Sequence, residues 1–227
     1  TLIIRVAHCS DTHEHPSIIR QVADHDVDLI ILTGDILKNK GRIDNRGIYA
    51  PRERGYQRLW CRKHAKKWAK DFGDTPVVYV DGNHDFIDVG KWLSHYGCVN
   101  LYHITAETPC VEVCGLRFAG FRDIPWIEGE WEGEAHDLRI PVERAFACDP
   151  DVLVTHGPPA GILDGPCGYG ITQLASALAW QPHRITHHFF GHVHETGGQV
   201  VEEMGIKFIN GAGYCRVHNI EVKDESR

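Results

Sequence analysis

Asp81-Gly82-Asn83-His84-Asp85, set directly behind the apolar run Pro76-Val77-Val78-Tyr79-Val80, is the stretch on which the reading of this 227-residue chain turns. A short apolar run closed by a turn signal reads as a buried strand. Gly82 then permits a sharp turn by adopting backbone conformations that other residues avoid. Asn83, His84 and Asp85 are thereby placed at the carboxyl end of a strand, where open α/β sheets bind their ligands. An amide oxygen, an imidazole and a carboxylate presented together suit a metal ion with an acid beside it. An ordinary Asn/Gly turn that carries a histidine has the same sequence, so the stretch has to be read with the rest of the chain.

The pattern recurs. Leu2 to Ala7 is apolar apart from Arg5 and runs into His8-Cys9-Ser10-Asp11-Thr12-His13, where the spacing of Asp11 and His13 lets two donors reach one ion. His15 is a competing donor, but Pro16 suits the first position of a helix whose apolar face is Ile18, Ile19, Val22 and Ala23. Asp28 to Leu32 is a second buried strand, closed by Thr33-Gly34-Asp35. Asp151 to Thr155 ends in His156-Gly157-Pro158-Pro159, and Ile185 to Phe190 ends in Gly191-His192-Val193-His194. Parallel strands in one sheet bring such turns to one rim. The outcome is a cluster of nitrogen and oxygen donors without thiolate, large enough for two ions.

Composition bounds the alternatives. Hydrophobic residues make up 42% and charged residues 24%, an ordinary balance for a soluble globular protein. No apolar run reaches the roughly 18 residues of a membrane span, and the opening Thr1 to Val6 is too short for a signal-peptide core. The expectation is one cytoplasmic domain over residues 1–227, with no membrane partner. Eight cysteines are scattered without a Cys-x-x-Cys pair and read as free thiols. Sixteen histidines outnumber the 7 tyrosines and 8 phenylalanines together, as a metal protein would have it.

A net charge of −7 argues against a protein that coats nucleic acid. Residues 38–70 nonetheless form a basic insertion, with twelve of the 24 lysines and arginines against Asp44 and Glu53. Residues 36–55, which overlap its start, form a long glycine-bearing loop; a helical period appears from Arg52 to Phe72, with Arg58, Arg62, Lys66 and Lys70 on one face. Such a stripe reads as a solvated surface, and the loop before it is expected to overhang Asp35 and attract anionic substrate. Gly120 to Trp131, rich in glycine and aromatic residues, is a candidate substrate wall. Helices are expected over Phe86–Tyr96, Pro141–Ala147 and 170–180, and a hairpin over Cys110–Ala119. Ile206–Ile209 and Cys215–Val222 read as antiparallel strands.

Taken in order, Asp-x-His at 11–13, Gly-Asp at 34–35, Gly-Asn-His-Asp at 82–85, the lone His156 and Gly-His-x-His at 191–194 resemble the calcineurin-like metallophosphoesterases. The resemblance runs from Asp11 to His194. Thr155-His156-Gly157-Pro158-Pro159, Leu163-Asp164 and Asn210-Gly211-Ala212 are similar to the branch of small phosphodiesterases related to class III cyclic-nucleotide phosphodiesterases. It implies an α/β fold, a four-layer αββα sandwich of two mixed β-sheets flanked by helices. It also implies two divalent metal ions (Mn²⁺, Fe²⁺ or Zn²⁺), one held by Asp11, His13 and His194, the other by Asn83, His156 and His192, with Asp35 bridging. His84 would be the catalytic group facing the leaving oxygen, and Asn83, His84 and His156 would touch substrate.

The activity so implied is hydrolysis of small nucleotide phosphodiesters, cyclic ones among them, by a hydroxide bridging the two ions. A metal-dependent nuclease, a phosphoprotein phosphatase and a nucleotide-binding scaffold with little turnover are the alternatives. One departure bears on them: Gly34-Asp35 continues as Ile36-Leu37-Lys38-Asn39 instead of reaching the Asp-Arg-Gly of phosphoprotein phosphatases. The residue that orients the catalytic histidine in those enzymes is then missing, and Asp85 is the expected substitute.

Overall fold

The computed structural model describes residues 2–13 and 15–222. In chain order the first elements are β1 (Leu2–Cys9), β2 (Leu29–Thr33), α1 (Ala50–Phe72), β3 (Val77–Val80), α2 (Val89–His95) and β4 (Leu101–His103). Next come β5 (Cys110–Val113), β6 (Leu116–Phe121), the short β7 (Ile124–Pro125) and β8 (Glu134–Ala135), α3 (Arg139–Ala147) and β9 (Val152–Thr155). The last are α4 (Thr172–Trp180), β10 (His187–Phe190), β11 (Val200–Glu203), β12 (Ile206–Asn210) and β13 (Cys215–Val222).

Strands β2, β3, β9 and β10 are buried at every residue, as parallel strands covered on both faces are. They lie in two mixed sheets. One has the order β13-β1-β2-β3-β4, parallel except for β13. The other runs β11-β12-β10-β9-β6-β5, with antiparallel strands only at its edges. Val6, Ile31 and Val78 of the first meet Phe118, Val154 and Phe189 of the second in a central layer. Trp68 and Phe72 of α1, with Leu93 of α2, cover the outer face of the first sheet. Val142 of α3 and Leu174 and Leu178 of α4 cover the second. Each such buried side chain contributes about 1.5–3 kcal/mol of transfer free energy. The four layers are those the family resemblance implies.

Helix α1 buries Cys61, Ala65, Trp68 and Phe72 and turns Arg58, Arg62, Lys66 and Lys70 to solvent. Its buried face also holds Glu53 and Gln57, and these polar residues reach toward the loops after β2 and β3. Three local expectations are corrected. The helix expected after Pro16 is a short 3₁₀ segment, Ile19–Asp24. The helix expected from Phe86 starts at Val89, because Asp88 caps it by accepting from the backbone N–H of Gly90 at 2.8 Å. Strand β12 pairs antiparallel with β11 but parallel with β10, and lies in a different sheet from β13. Its alternating pattern records one strand face and carries no information on partner direction.

Several histidines are core residues. His8 and His218 set ring edges against Phe189, and His187 stacks parallel to it. His188 packs against Phe190 and Phe208 and meets the hydroxyl of Thr155 at 2.7 Å. Burial pushes His188 down to about 3, and pushes His187 and His218 down to about 4. Neutral in the fold, they take up protons in the unfolded chain near the ordinary value of 6.5. Stability is therefore constant in this respect above that value and falls as pH drops from 6.5 toward about 4. Melting temperatures of chelator-treated protein should decline below pH 6.5, less steeply for His188→Gln; a flat profile contradicts the burial argument.

Candidate metal centre

The turns after β1, β2, β3, β9 and β10 interlock at one rim. The backbone N–H of Asp11 donates to Gly34 at 3.0 Å, that of His13 to Asp35 at 3.1 Å, and that of Gly191 to His156 at 2.9 Å. Side chains complete the mesh: Asp35 Oδ1 accepts from the His84 N–H at 2.7 Å, and Asp11 Oδ2 from the His192 N–H at 2.8 Å. Ser10 donates its hydroxyl to the same Asp11 oxygen at 2.6 Å, leaving Asp11 Oδ1 to face His194 Nε2 at 3.2 Å. Asp11, Asp35 and His192 adopt left-handed φ values of 50°, 53° and 68°. Non-glycine residues rarely do so, and backbone strain of this kind collects at functional sites.

The glycines of the motifs serve close approach. A Cβ on Gly82 would run into the carboxylate and backbone N of Asp35, and one on Gly191 into Ser10 and Asp11. The left-handed freedom anticipated for Gly82 is not what the turn uses, since Gly82 does not have positive φ.

At the centre lies Asp35. The ligand atoms of Asp35, His156 and His192 lie within 4.8 Å of one another, and so do those of His13, Asp35 and His84. His156 donates its Nδ1–H to the carbonyl of Thr33 at 2.7 Å, which aims Nε2 at Asn83 Oδ1 (2.8 Å) and Asp35 Oδ2 (3.4 Å). A backbone acceptor on the far nitrogen is how ligating imidazoles are fixed in one tautomer. Imidazole nitrogens, carboxylates and one amide oxygen, without thiolate, fit Mn²⁺, Fe²⁺ or Zn²⁺. Electrostatics agree. Burial alone would raise Asp35, yet His156 and His84 hold it well below the usual carboxylate range. Burial would lower His156, but Asp35 lifts it to about 9; His192, buried with less compensation, drops to about 4.

All seven expected ligand positions, Asp11, His13, Asp35, Asn83, His156, His192 and His194, thus share one rim, and His84 lies among them. Asp85 does not take the place anticipated for it. Its carboxylate accepts backbone N–H groups of Ile36 (3.0 Å), Leu37 (2.9 Å) and Gly82 (2.9 Å), tying the second turn to the third. The residue on the His84 ring is Asn39, whose Oδ1 lies 2.7 Å from Nδ1. Asn39 Nδ2 donates to the His84 carbonyl at 3.0 Å and to Glu53 at 3.3 Å, so the amide orientation is set and Oδ1 accepts from the ring. Gln57 adds a donor to the same carbonyl at 2.6 Å. The sequence signal for Asn39 was its place in the loop after Gly34-Asp35. Removing one such hydrogen bond costs about 1 kcal/mol. Asn39→Ala should therefore lower kcat about fivefold to tenfold with metal content unchanged; loss of metal would place Asn39 in ligand support instead.

Beside this centre, His103 faces Asp81 through Nε2 (3.1 Å) and Asp88 through Nδ1 (3.6 Å). Both its nitrogens are committed to carboxylates, so the imidazolium itself balances them.

A family model described as calcineurin-like phosphoesterase matches residues 4–196. The chain belongs to that family, whose members are metal-dependent phosphoesterases. A UPF0046 protein of Caenorhabditis elegans is 27% identical over 98% of this chain and 74% of its own length. Among solved structures, the anchor GAP50 of the Plasmodium inner membrane complex shares the fold at 16% identity, with a TM-score of 0.52 over 96% of this chain and 81% of that one. A predicted phosphoesterase from Streptococcus pneumoniae matches over 97% of this chain and 85% of its own, at 15% identity and a TM-score of 0.42. Among the described residues, no helix is long and apolar enough to cross a membrane.

Proposed function

We propose that this protein is a dinuclear metal-dependent phosphodiesterase acting on small nucleotide phosphodiesters, cyclic ones among them. The observation that carries the reading is the Asp35 carboxylate common to two groups of donors, one with His13 and His84, the other with His156 and His192. We assign Asp11, His13, Asp35 and His194 to one ion and Asp35, Asn83, His156 and His192 to its neighbour. Such a pair supplies Lewis-acid neutralisation of phosphate charge and activates water near neutral pH.

The chain's own groups do the rest. With Nδ1 of His84 donating to Asn39, Nε2 is the ring atom through which a proton passes to substrate. In its imidazolium form His84 donates that proton to the leaving oxygen. Burial pulls His84 below the ordinary histidine value, and Asp35 offsets part of that fall.

Guanidinium groups near the site are already committed. Arg42 pairs with Glu128 and Glu130, Arg54 with Glu132 at 2.9 Å, and Arg122 donates to the carbonyls of Gly82 and Asp85. Two cations of the basic segment, Arg42 and Arg54, are thus paired with glutamates of the 128–132 loop. With those two guanidinium groups taken up, a singly charged diester is favoured over a dianionic monoester. The test is a panel of an aryl diester, an aryl monoester, cyclic nucleotides and single-stranded RNA, with Mn²⁺ and a chelator control. Chelator-sensitive turnover of the diester and a cyclic nucleotide is expected; preference for the monoester or the RNA would overturn the assignment.

A further inference from the structure

We propose that Trp131 is a positioning residue for His84. This rests on the role given to His84 above. The Trp131 indole covers one face of the His84 imidazole, with ring centroids 3.9 Å apart and planes 28° from parallel. His13 meets the same ring edge-on at 4.8 Å, and Asn39 holds Nδ1 at 2.7 Å. A ring held on a face, an edge and one nitrogen has a single orientation left to it, with Nε2 toward Asp35 at 4.0 Å.

The loop that delivers Trp131 is built to stay. Glu134 gathers the backbone N–H groups of Ile127 (3.0 Å), Glu128 (2.9 Å) and Trp131 (3.3 Å) into a knot. The Glu132 N–H donates to the carbonyl of Asn83 at 3.1 Å, binding the loop to the turn that carries His84. Ion pairs from Arg42 and Arg54 of the basic segment to Glu128, Glu130 and Glu132 add further ties. Nothing in the five motifs requires this aromatic residue. A tryptophan half-buried against the one imidazole that exchanges protons with substrate does the work of holding it in line, where misplacement by about 1 Å can cost about 100-fold.

The experiment compares Trp131→Ala, Trp131→Phe, His84→Ala and the double variant Trp131→Ala/His84→Ala, each loaded with Mn²⁺ and assayed on an aryl diester, together with a crystal structure of Trp131→Ala. Expected are a kcat lower by about tenfold in Trp131→Ala, KM within about twofold and unchanged metal content. Trp131→Phe, which keeps an aromatic face, recovers most of the turnover. In the His84→Ala background the tryptophan change costs nothing more, because coupled residues do not add. In the crystal the His84 ring leaves Asn39 or occupies two rotamers. Additive losses in the double variant, or an unmoved His84 ring in Trp131→Ala, overturn the proposal. If the wild-type protein shows no metal-dependent hydrolysis, the function proposed above fails, and the crystal structure alone still decides the role of Trp131.

Discussion

Asp35→Asn should lose both metal ions and at least about 10³-fold in turnover. The carboxylate is 2% exposed, sits at a left-handed φ of 53°, and is the member common to both donor groups. Its Oδ1 accepts the His84 N–H at 2.7 Å, and Oδ2 faces His156 Nε2 at 3.4 Å. An amide of the same shape preserves the packing but removes the negative charge that two cations would share. A bound cation pair contributes several kcal/mol of transition-state charge stabilisation, and each 1.36 kcal/mol is tenfold in rate. Elemental analysis beside turnover of an aryl diester reads both consequences. A variant that keeps two ions and more than a tenth of the activity would mean that Asp35 does not bridge.

His84→Ala is expected to behave differently. Turnover should fall by about 10²–10⁴-fold, the usual worth of general acid help, while both ions remain. The loss should be larger for a nucleoside leaving group than for p-nitrophenolate, which departs without a proton. The contrast discriminates because His84 lies in ligand range of His13 and Asp35, so geometry alone allows it to hold metal. Loss of an ion from His84→Ala would make it a ligand and remove the acid role.

Much of the centre was legible because each donor comes from a local pattern, an apolar strand followed by a turn. Asp11, Asp35, His84, His156 and His192 are each announced by the strand that precedes them, and parallel strands carry such turns to one rim. What escaped was everything set by distant contacts. Asn39 lies 45 residues from the His84 ring it holds, and Gln57 27 residues from the carbonyl of His84. Glu53 and Gln57 look like unremarkable members of a basic helix until the fold turns them inward. Asp85 was placed on His84 by adjacency alone, whereas three backbone donors claim its carboxylate. Charge counting over the basic insertion likewise cannot see Glu128, Glu130 and Glu132 folding back on Arg42 and Arg54.

Anomalous diffraction from crystals soaked in Mn²⁺ tests the central claim most directly. Two peaks about 3.5–4 Å apart, one on each side of the Asp35 carboxylate, are the predicted result. A single peak, or peaks away from Asp35, would contradict it.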